Sequence, residues 1–173
     1  MWVQIPPPAP RRLRSPFPLR GRRGQQMTMA ELTLFDDKKH RSQVVQLWRQ
    51  VFGHETAHND PDLVIDNTTA AGDGLFWVAV IGERVLGTIM AGYDGHRGWI
   101  YSLAVHPDHR KQGIGSRLLA HAEERVISLG CLKINLQIVK GNEQVQAFYE
   151  ANGYSVEPRI SMGKRLSKDL PTP

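Results

Sequence analysis

The chain has 173 residues, about one domain's worth, and its 40% apolar and 23% charged residues exclude a wholly disordered protein. No apolar run approaches a bilayer span, and a single cysteine, Cys131, excludes an internal disulfide framework and suits a reducing, cytoplasmic setting. The net charge of +5 is uneven: residues 1–26 hold six arginines and no acid, while the remaining 147 residues hold 16 basic and 17 acidic side chains, so the body has no bulk attraction to nucleic acid.

Residues 1–26 also hold six of the eleven prolines, which remove backbone donors and block helices. Mutually repelling arginines and few large apolar residues leave nothing to bury. The segment reads as a disordered Pro/Arg-rich extension, and residues 27–173 as a single domain. Met27 and Met29 stand just before the body, as they would if a start codon had been assigned too early. This plain reading is preferred to a mitochondrial transit peptide, whose amphipathic helix the prolines would spoil, and to an anionic partner for the arginines. No continuous apolar stretch resembles a secretory signal.

The body alternates strand and helix signals. Glu31–Phe35 reads as a short strand. Residues 38–52 set Val44, Val45, Leu47, Trp48, Val51 and Phe52 on one helical face, and Gly53 is a natural stop. A short helix is expected after Pro61. Leu75–Ile81 is an apolar strand, Gly82-Glu83 a tight turn, and Arg84–Tyr93 the returning strand. After a turn at residues 94–98, Trp99–Val105 is a third strand. A helix then runs to Leu129, with Leu118, Leu119, Ala122, Val126 and Leu129 inward and Gly130 as its cap. Leu132–Val139 reads as a strand. Asn142 is a good N-cap for a helix carrying Val145, Phe148 and Tyr149, which Gly153 ends. Tyr154–Glu157 and Ile160–Leu166 read as final strands. An antiparallel meander followed by a strand–helix–strand crossover implies a mixed sheet with helices on both faces.

Chemistry concentrates in residues 103–119, LAVHPDHRKQGIGSRLL. A strand ends at Val105 and Pro107 forces a break. Arg110-Lys111-Gln112-Gly113-Ile114-Gly115 then leads straight into an amphipathic helix. The start of a helix offers unpaired N–H groups and about half a positive charge, which suits a pyrophosphate. Gly113 and Gly115 let a phosphate approach the backbone, and Arg110 and Lys111 add charge. The third glycine of a dinucleotide fingerprint is missing, since Leu118 takes its place, and so is the Gly-Lys-Ser/Thr of a P-loop.

The hexapeptide does fit Arg/Gln-x-x-Gly-x-Gly/Ala, the acetyl-CoA signature of the GNAT superfamily of N-acetyltransferases. Leu103-Ala-Val-His-Pro upstream resembles the strand before this loop in those enzymes. Asn142–Tyr154 (NEQVQAFYEANGY) resembles their Asn…Phe-Tyr-Glu-x-x-Gly-Tyr helix and strand. The resemblance runs from about Leu32 to Leu166. Residues 90–98 and 161–166 resemble specifically the bacterial YpeA-type branch.

This resemblance implies a mixed, mostly antiparallel GNAT-like sheet with a splayed strand pair at the CoA cleft. It implies acetyl-CoA as co-substrate, no metal, and a primary amine of a small molecule or protein as acceptor, attacking directly in a ternary complex. Backbone groups of Leu103, Ala104 and Val105 would bond the pantetheine arm. The N–H groups of Lys111, Gln112, Gly113, Ile114, Gly115 and Ser116 would cradle the pyrophosphate beside Arg110. Asn142 would bond the pantetheine or thiol end. Tyr149 would protonate the departing thiolate, its competing role being a core aromatic whose hydroxyl finds a partner. A backbone N–H from Val105 or a neighbour could steady the oxyanion. The third strand holds no acid, so the general base stays open among Asp94, His96, Tyr101 and a water chain. A non-catalytic acyl-CoA-binding module is the rival function, and a homodimer stays open.

His54-Glu55-Thr56-Ala57-His58 matches the zinc-protease pattern, which needs both histidines on one long helix and a third ligand. Gly53 ends the helical pattern before it and Pro61 breaks the chain after, so a loop beside the acceptor cleft is the preferred reading. His106 and His109 read as solvated loop residues, Cys131 as a buried small residue. Asn67-Thr68-Thr69 is a glycosylation sequon relevant only to a secretory protein.

Overall fold

The structure is a computed structural model that describes residues 29–53, 57–164 and 166. The extension at residues 1–26 and the first half of the His54–His58 pattern lie outside the described residues.

Strand β1 (Glu31–Leu34) leads into α1 (Asp37–Phe52), whose first amides are capped by the Asp36 carboxylate accepting from Lys38 and Lys39. Helix α2 (Pro61–Ala71) follows, with Asp60 as its N-cap. Strands β2 (Phe76–Ile81), β3 (Arg84–Tyr93) and β4 (Gly98–Val105) form an antiparallel meander. Gly82 takes φ +58 in the two-residue turn between β2 and β3, a conformation that this hairpin requires. Helix α3 (Ile114–Ser128) crosses over to β5 (Ile134–Asn135), which runs parallel to β4, and α4 (Glu143–Ala151) comes last. The sheet order is β1-β2-β3-β4-β5.

Alternation along the strands sends successive side chains to opposite faces, and each face has its own core. On one face Val44, Val45, Leu47, Trp48 and Val51 of α1 and Ile65 of α2 pack on Phe76, Val78, Val85 and Met90. On the other, Ile114, Leu118, Leu119, Ala122 and Val126 of α3 and Val145 and Tyr149 of α4 pack on Trp77, Leu86, Ile89, Ile100 and Leu103. Arg41 ties α1 to α2, its guanidinium meeting Asp37 at 2.7 Å, Asp62 at 3.3 Å and Asp66 at 2.6 Å. Among the described residues no helix is long and apolar enough to cross a membrane.

Three expectations need correction. The strand expected over Leu132–Val139 shrinks to Ile134–Asn135, because β4 pairs with β5 only through Gly98↔Ile134 and Trp99↔Asn135. Beyond that point β4 turns away and offers no ladder. The final strands at Tyr154–Glu157 and Ile160–Leu166 are not formed among the described residues. Val156, Ile160 and Met162 stay exposed there, so no apolar face is buried to hold a strand, and side chains tie the segment to β5 and its continuation, Glu157 to Lys133 and Asn135, and Ser161 to Gln137. Leu129, expected to face inward, lies one residue past the end of α3 and is 51% exposed.

Candidate active site

β4 pairs with β5 only as far as Trp99, and three residues further on it carries a bulge. Thr88 pairs with Ala104 and Met90 with Tyr101, so Ile89 faces two residues, Ser102 and Leu103. Ser102 holds φ +49 and is fully buried. Past the bulge, the His106 N–H donates to the Leu86 carbonyl at 2.8 Å. That bond makes Gly87–Val105 the non-hydrogen-bonded pair of the antiparallel ladder, so the Val105 N–H and C=O point away from β3. By the same alternation Ala104 faces Thr88, and Leu103, like Val105, presents its backbone groups on the β5 side. Two N–H groups at the end of β4 therefore face the gap where β5 no longer pairs.

The loop that follows is built for tight curvature. A short 3-10 turn at Pro107–His109 is capped by the His106 side chain, and the Gln112 amide donates to the Asp108 carbonyl at 3.4 Å. Lys111 takes φ +60 and Gly113 φ +79. Gly113 is the N-cap of α3 and makes no side-chain cap bond, and the first turn of α3 has no acid. Helices α1, α2 and α4 are each capped by their own Asp36, Asp60 or Asn142 side chain. The first turn of α3, with Ile114, Gly115 and Ser116, thus keeps its N–H groups for another acceptor.

Gly115 is where three elements meet. A Cβ there would stand 3.4 Å from the Phe148 ring of α4 and 3.6 Å from Val105 of β4. Arg110 reaches back to the same place: its Nε donates to the Val105 carbonyl at 3.2 Å, and its buried Nη2 has no partner among the described residues. Burial holds the Arg110 guanidinium below its ordinary range. A buried guanidinium arm without an acceptor is costly and suits an anionic group.

Tyr149 is 1% exposed and shares its core with Leu103 and Ile114. Its hydroxyl is buried and has no partner among the described residues. Burial raises its pKa, so it keeps its proton. Asn142 caps α4, its Oδ1 accepting from the Val145 N–H at 3.3 Å.

The base candidates divide. Asp94 is held below the usual carboxylate range by the N–H groups of Arg97 and His96, which makes it a turn residue and a poor base. Tyr101 is pushed above its ordinary value by burial and by the Asp94 charge, so it is a hydroxyl donor at neutral pH. It packs on the α1 face, opposite Tyr149. His96 lies in the same β3–β4 turn as Asp94. His106 is partly buried rather than fully solvated, and its pKa is lowered first by that burial and then by Arg84. Cys131 is buried and free. α1 stops at Phe52 and His58 sits in a separate 3-10 turn, while His54, Glu55 and Thr56 lie outside the described residues. Among the described residues no cluster of three or more metal-ligating side chains occurs.

A hollow of about 570 Å³ lies elsewhere, between β1 and the start of α1, lined by Thr33, Phe35, Asp36 and His40 among others. None of the residues above lines it, and it sits at the sheet edge opposite β5. Sequence reading missed the β4 bulge, because Ser102 carries no glycine or asparagine signal for its left-handed backbone.

The fold is shared with solved structures. A transcriptional regulator from Bacillus halodurans C-125 superposes with a TM-score of 0.64 at 23% identity, covering 79% of this chain and 99% of its own. Glucosamine-6-phosphate N-acetyltransferase from Arabidopsis thaliana gives 0.59 at 20% identity, covering 80% and 99%. The PaiA N-acetyltransferase from Thermoplasma acidophilum, in complex with coenzyme A, gives 0.65 at 18% identity, covering 76% and 92%. Residues 41–154 match the acetyltransferase (GNAT) family. With the gap between β4 and β5, the uncapped start of α3 and two thirds of its length inside that match, the chain belongs to the acetyltransferase (GNAT) family.

Proposed function

We propose that the protein is an acetyl-CoA-dependent N-acetyltransferase working by direct attack of a primary amine in a ternary complex. The observation that carries this reading is the Tyr149 hydroxyl, buried, protonated and without a partner among the described residues. A binding module has no use for such a group, and a core tyrosine would satisfy it.

The residues present fit acetyl-CoA. The N–H groups from Lys111 to Ser116 and the Arg110 guanidinium receive the pyrophosphate. The backbone of Leu103 and Val105 aligns the pantetheine arm along the gap, with Ala104 between them and Asn142 at the thiol end. The acceptor amine loses its proton to water, since no carboxylate stands on β4. Its nitrogen bonds to the thioester carbon, and the carbonyl oxygen becomes an oxyanion that the β4 N–H groups stabilise. The oxyanion collapses, the C–S bond breaks and Tyr149 gives its proton to the leaving thiolate, while the second proton of the attacking nitrogen is lost through water and restores Tyr149. Holding both reactants in one cleft supplies much of the rate. A cytoplasmic setting and the YpeA-type branch are part of the proposal; they rest on the lone cysteine and on the motifs at residues 90–98 and 161–166.

Calorimetry with CoA, followed by thiol release from acetyl-CoA against glucosamine-6-phosphate, an aminoglycoside, an N-terminal peptide and a lysine peptide, tests this. Saturable acetylation of one acceptor supports it. Tight CoA binding with no turnover would favour the acyl-CoA-binding module, and no CoA binding would remove both.

A further inference from the structure

The β4 bulge is an imposed conformation. Ser102 carries a Cβ, yet holds φ +49 in the middle of a strand, which its surroundings must enforce. Three groups do so. The Trp48 Nε1–H donates to Thr88 Oγ1 at 2.8 Å, and the Thr88 hydroxyl donates to the Ser102 carbonyl at 2.9 Å. Thr88 and Ser102 are fully buried and Trp48 is 1% exposed. Thr88 has one hydroxyl proton; spending it on Ser102 leaves its lone pairs for the indole, so the chain of donors has a fixed direction.

The consequence lies in the next amide. The Ser102 carbonyl and the Leu103 N–H belong to one planar trans peptide and point in opposite directions. Pinning the carbonyl toward Thr88 on β3 aims the Leu103 N–H at the gap beside β5. We infer that Thr88, locked by Trp48, is a positioning residue that orients the Leu103 N–H toward the thioester carbonyl. This rests on the acetyltransferase reading above.

Thr88→Val removes the hydroxyl at nearly constant shape, and Thr88→Ser restores it. The pyrophosphate loop is untouched by either. For Thr88→Val, kcat with the fastest acceptor of the amine panel should fall about 10- to 100-fold, less than the loss of a whole oxyanion donor. CoA affinity should stay within about threefold, and Thr88→Ser should recover kcat to within about threefold. The Leu103 amide proton shift should move in Thr88→Val and return in Thr88→Ser. A folded Thr88→Val with wild-type kcat overturns the inference, and so does a loss of CoA affinity that matches the loss of kcat. If Thr88→Val does not fold, Trp48→Phe decides: freeing the hydroxyl to rotate should lower kcat at unchanged CoA affinity, and an unchanged kcat overturns the inference. If the wild-type chain binds CoA and acetylates nothing, the acetyltransferase reading fails, and the Leu103 shift then judges the pinning by itself: moved supports it, unmoved overturns it.

Discussion

Tyr149 and Tyr154 stand edge to face, ring centroids 5.4 Å apart at 71°, yet their hydroxyls meet opposite fates. Tyr154 donates to Glu123 Oε1 at 2.8 Å and so ties the end of α4 to α3. The Tyr149 hydroxyl finds nothing among the described residues. Burial raises both pKa values, and for Tyr154 the bond to Glu123 adds to it. Two neighbouring tyrosines therefore differ in one respect: one hydroxyl is bonded to α3, and the other has no partner among the described residues.

Tyr154→Phe should cost stability and spare turnover. It removes a charge-assisted hydrogen bond and leaves Glu123 short of a donor, a loss of about 1–2 kcal/mol at this half-buried site. Urea unfolding measures the first effect and thiol release the second. A drop in kcat without a drop in stability would move the acid role to Tyr154.

Gly115 tests the phosphate loop. Gly115→Ala adds a Cβ 3.4 Å from Phe148, which a small ring shift accommodates, so CoA affinity should change only a few-fold. Gly115→Glu adds a carboxylate at the start of α3, against the pyrophosphate and the helix dipole alike. Its Kd for CoA should rise at least about tenfold, roughly 1.4 kcal/mol. Equal affinities for the two variants in calorimetry would remove the loop from the CoA site.

His40 gives the fold a pH dependence. Its Nδ1 accepts the Asp36 N–H at 2.9 Å, so it must be unprotonated there. Its pKa is lowered by burial first, with Asp36 opposing and Lys39 assisting. The unfolded chain takes up this proton near pH 6.5, whereas the folded chain resists until lower pH. Below that point the unfolded state binds more protons, so stability should fall as pH drops from about 6.5. His40→Phe should flatten the slope of urea midpoints between about pH 5 and 7 relative to wild type. An unchanged slope would show that the His40 proton is not linked to folding.

What the sequence made legible is what short-range physics decides. The apolar stripe of α1 at Val44, Val45, Leu47, Trp48 and Val51 follows from helical period, and the Gly82 hairpin from turn chemistry. The Gly113–Gly115 loop stood out because glycine marks a close approach. The length of β5 was not legible, because it is set by how far β4 keeps pairing with it, which ends at Trp99↔Asn135, and the nearby β4 bulge sits at a serine with no local signal. The Trp48–Thr88 bond joins residues 40 positions apart, so no local window contains it. Val156, Ile160 and Met162 carry a strand-like alternation, but the chain leaves those residues 70%, 92% and 93% exposed. Pattern alone cannot supply the ladder that a strand needs.

Tyr149→Phe is the sharpest test of the chemistry. The change removes one hydroxyl and keeps the ring in the core. Because that hydroxyl has no partner among the described residues, stability should hold or rise slightly, where a bonded core tyrosine would lose about 1 kcal/mol. If the hydroxyl protonates the departing thiolate, the chemical step should slow by about 10²–10⁴-fold with CoA affinity nearly unchanged. A thiol with a pKa near 8.5 is also a tolerable leaving group unaided, and that route predicts a mild defect that shrinks as pH rises. Rates of both forms against pH, with acceptor saturating and chemistry limiting, separate the two. The burial that raises the Tyr149 pKa keeps its hydroxyl protonated through neutral pH, so no alkaline limb from this group should appear there in the wild-type profile. A mutant that runs at full speed across the range withdraws Tyr149 as the acid. The family, the phosphate loop and the β4 gap would stand without it, and the thiolate would leave unassisted.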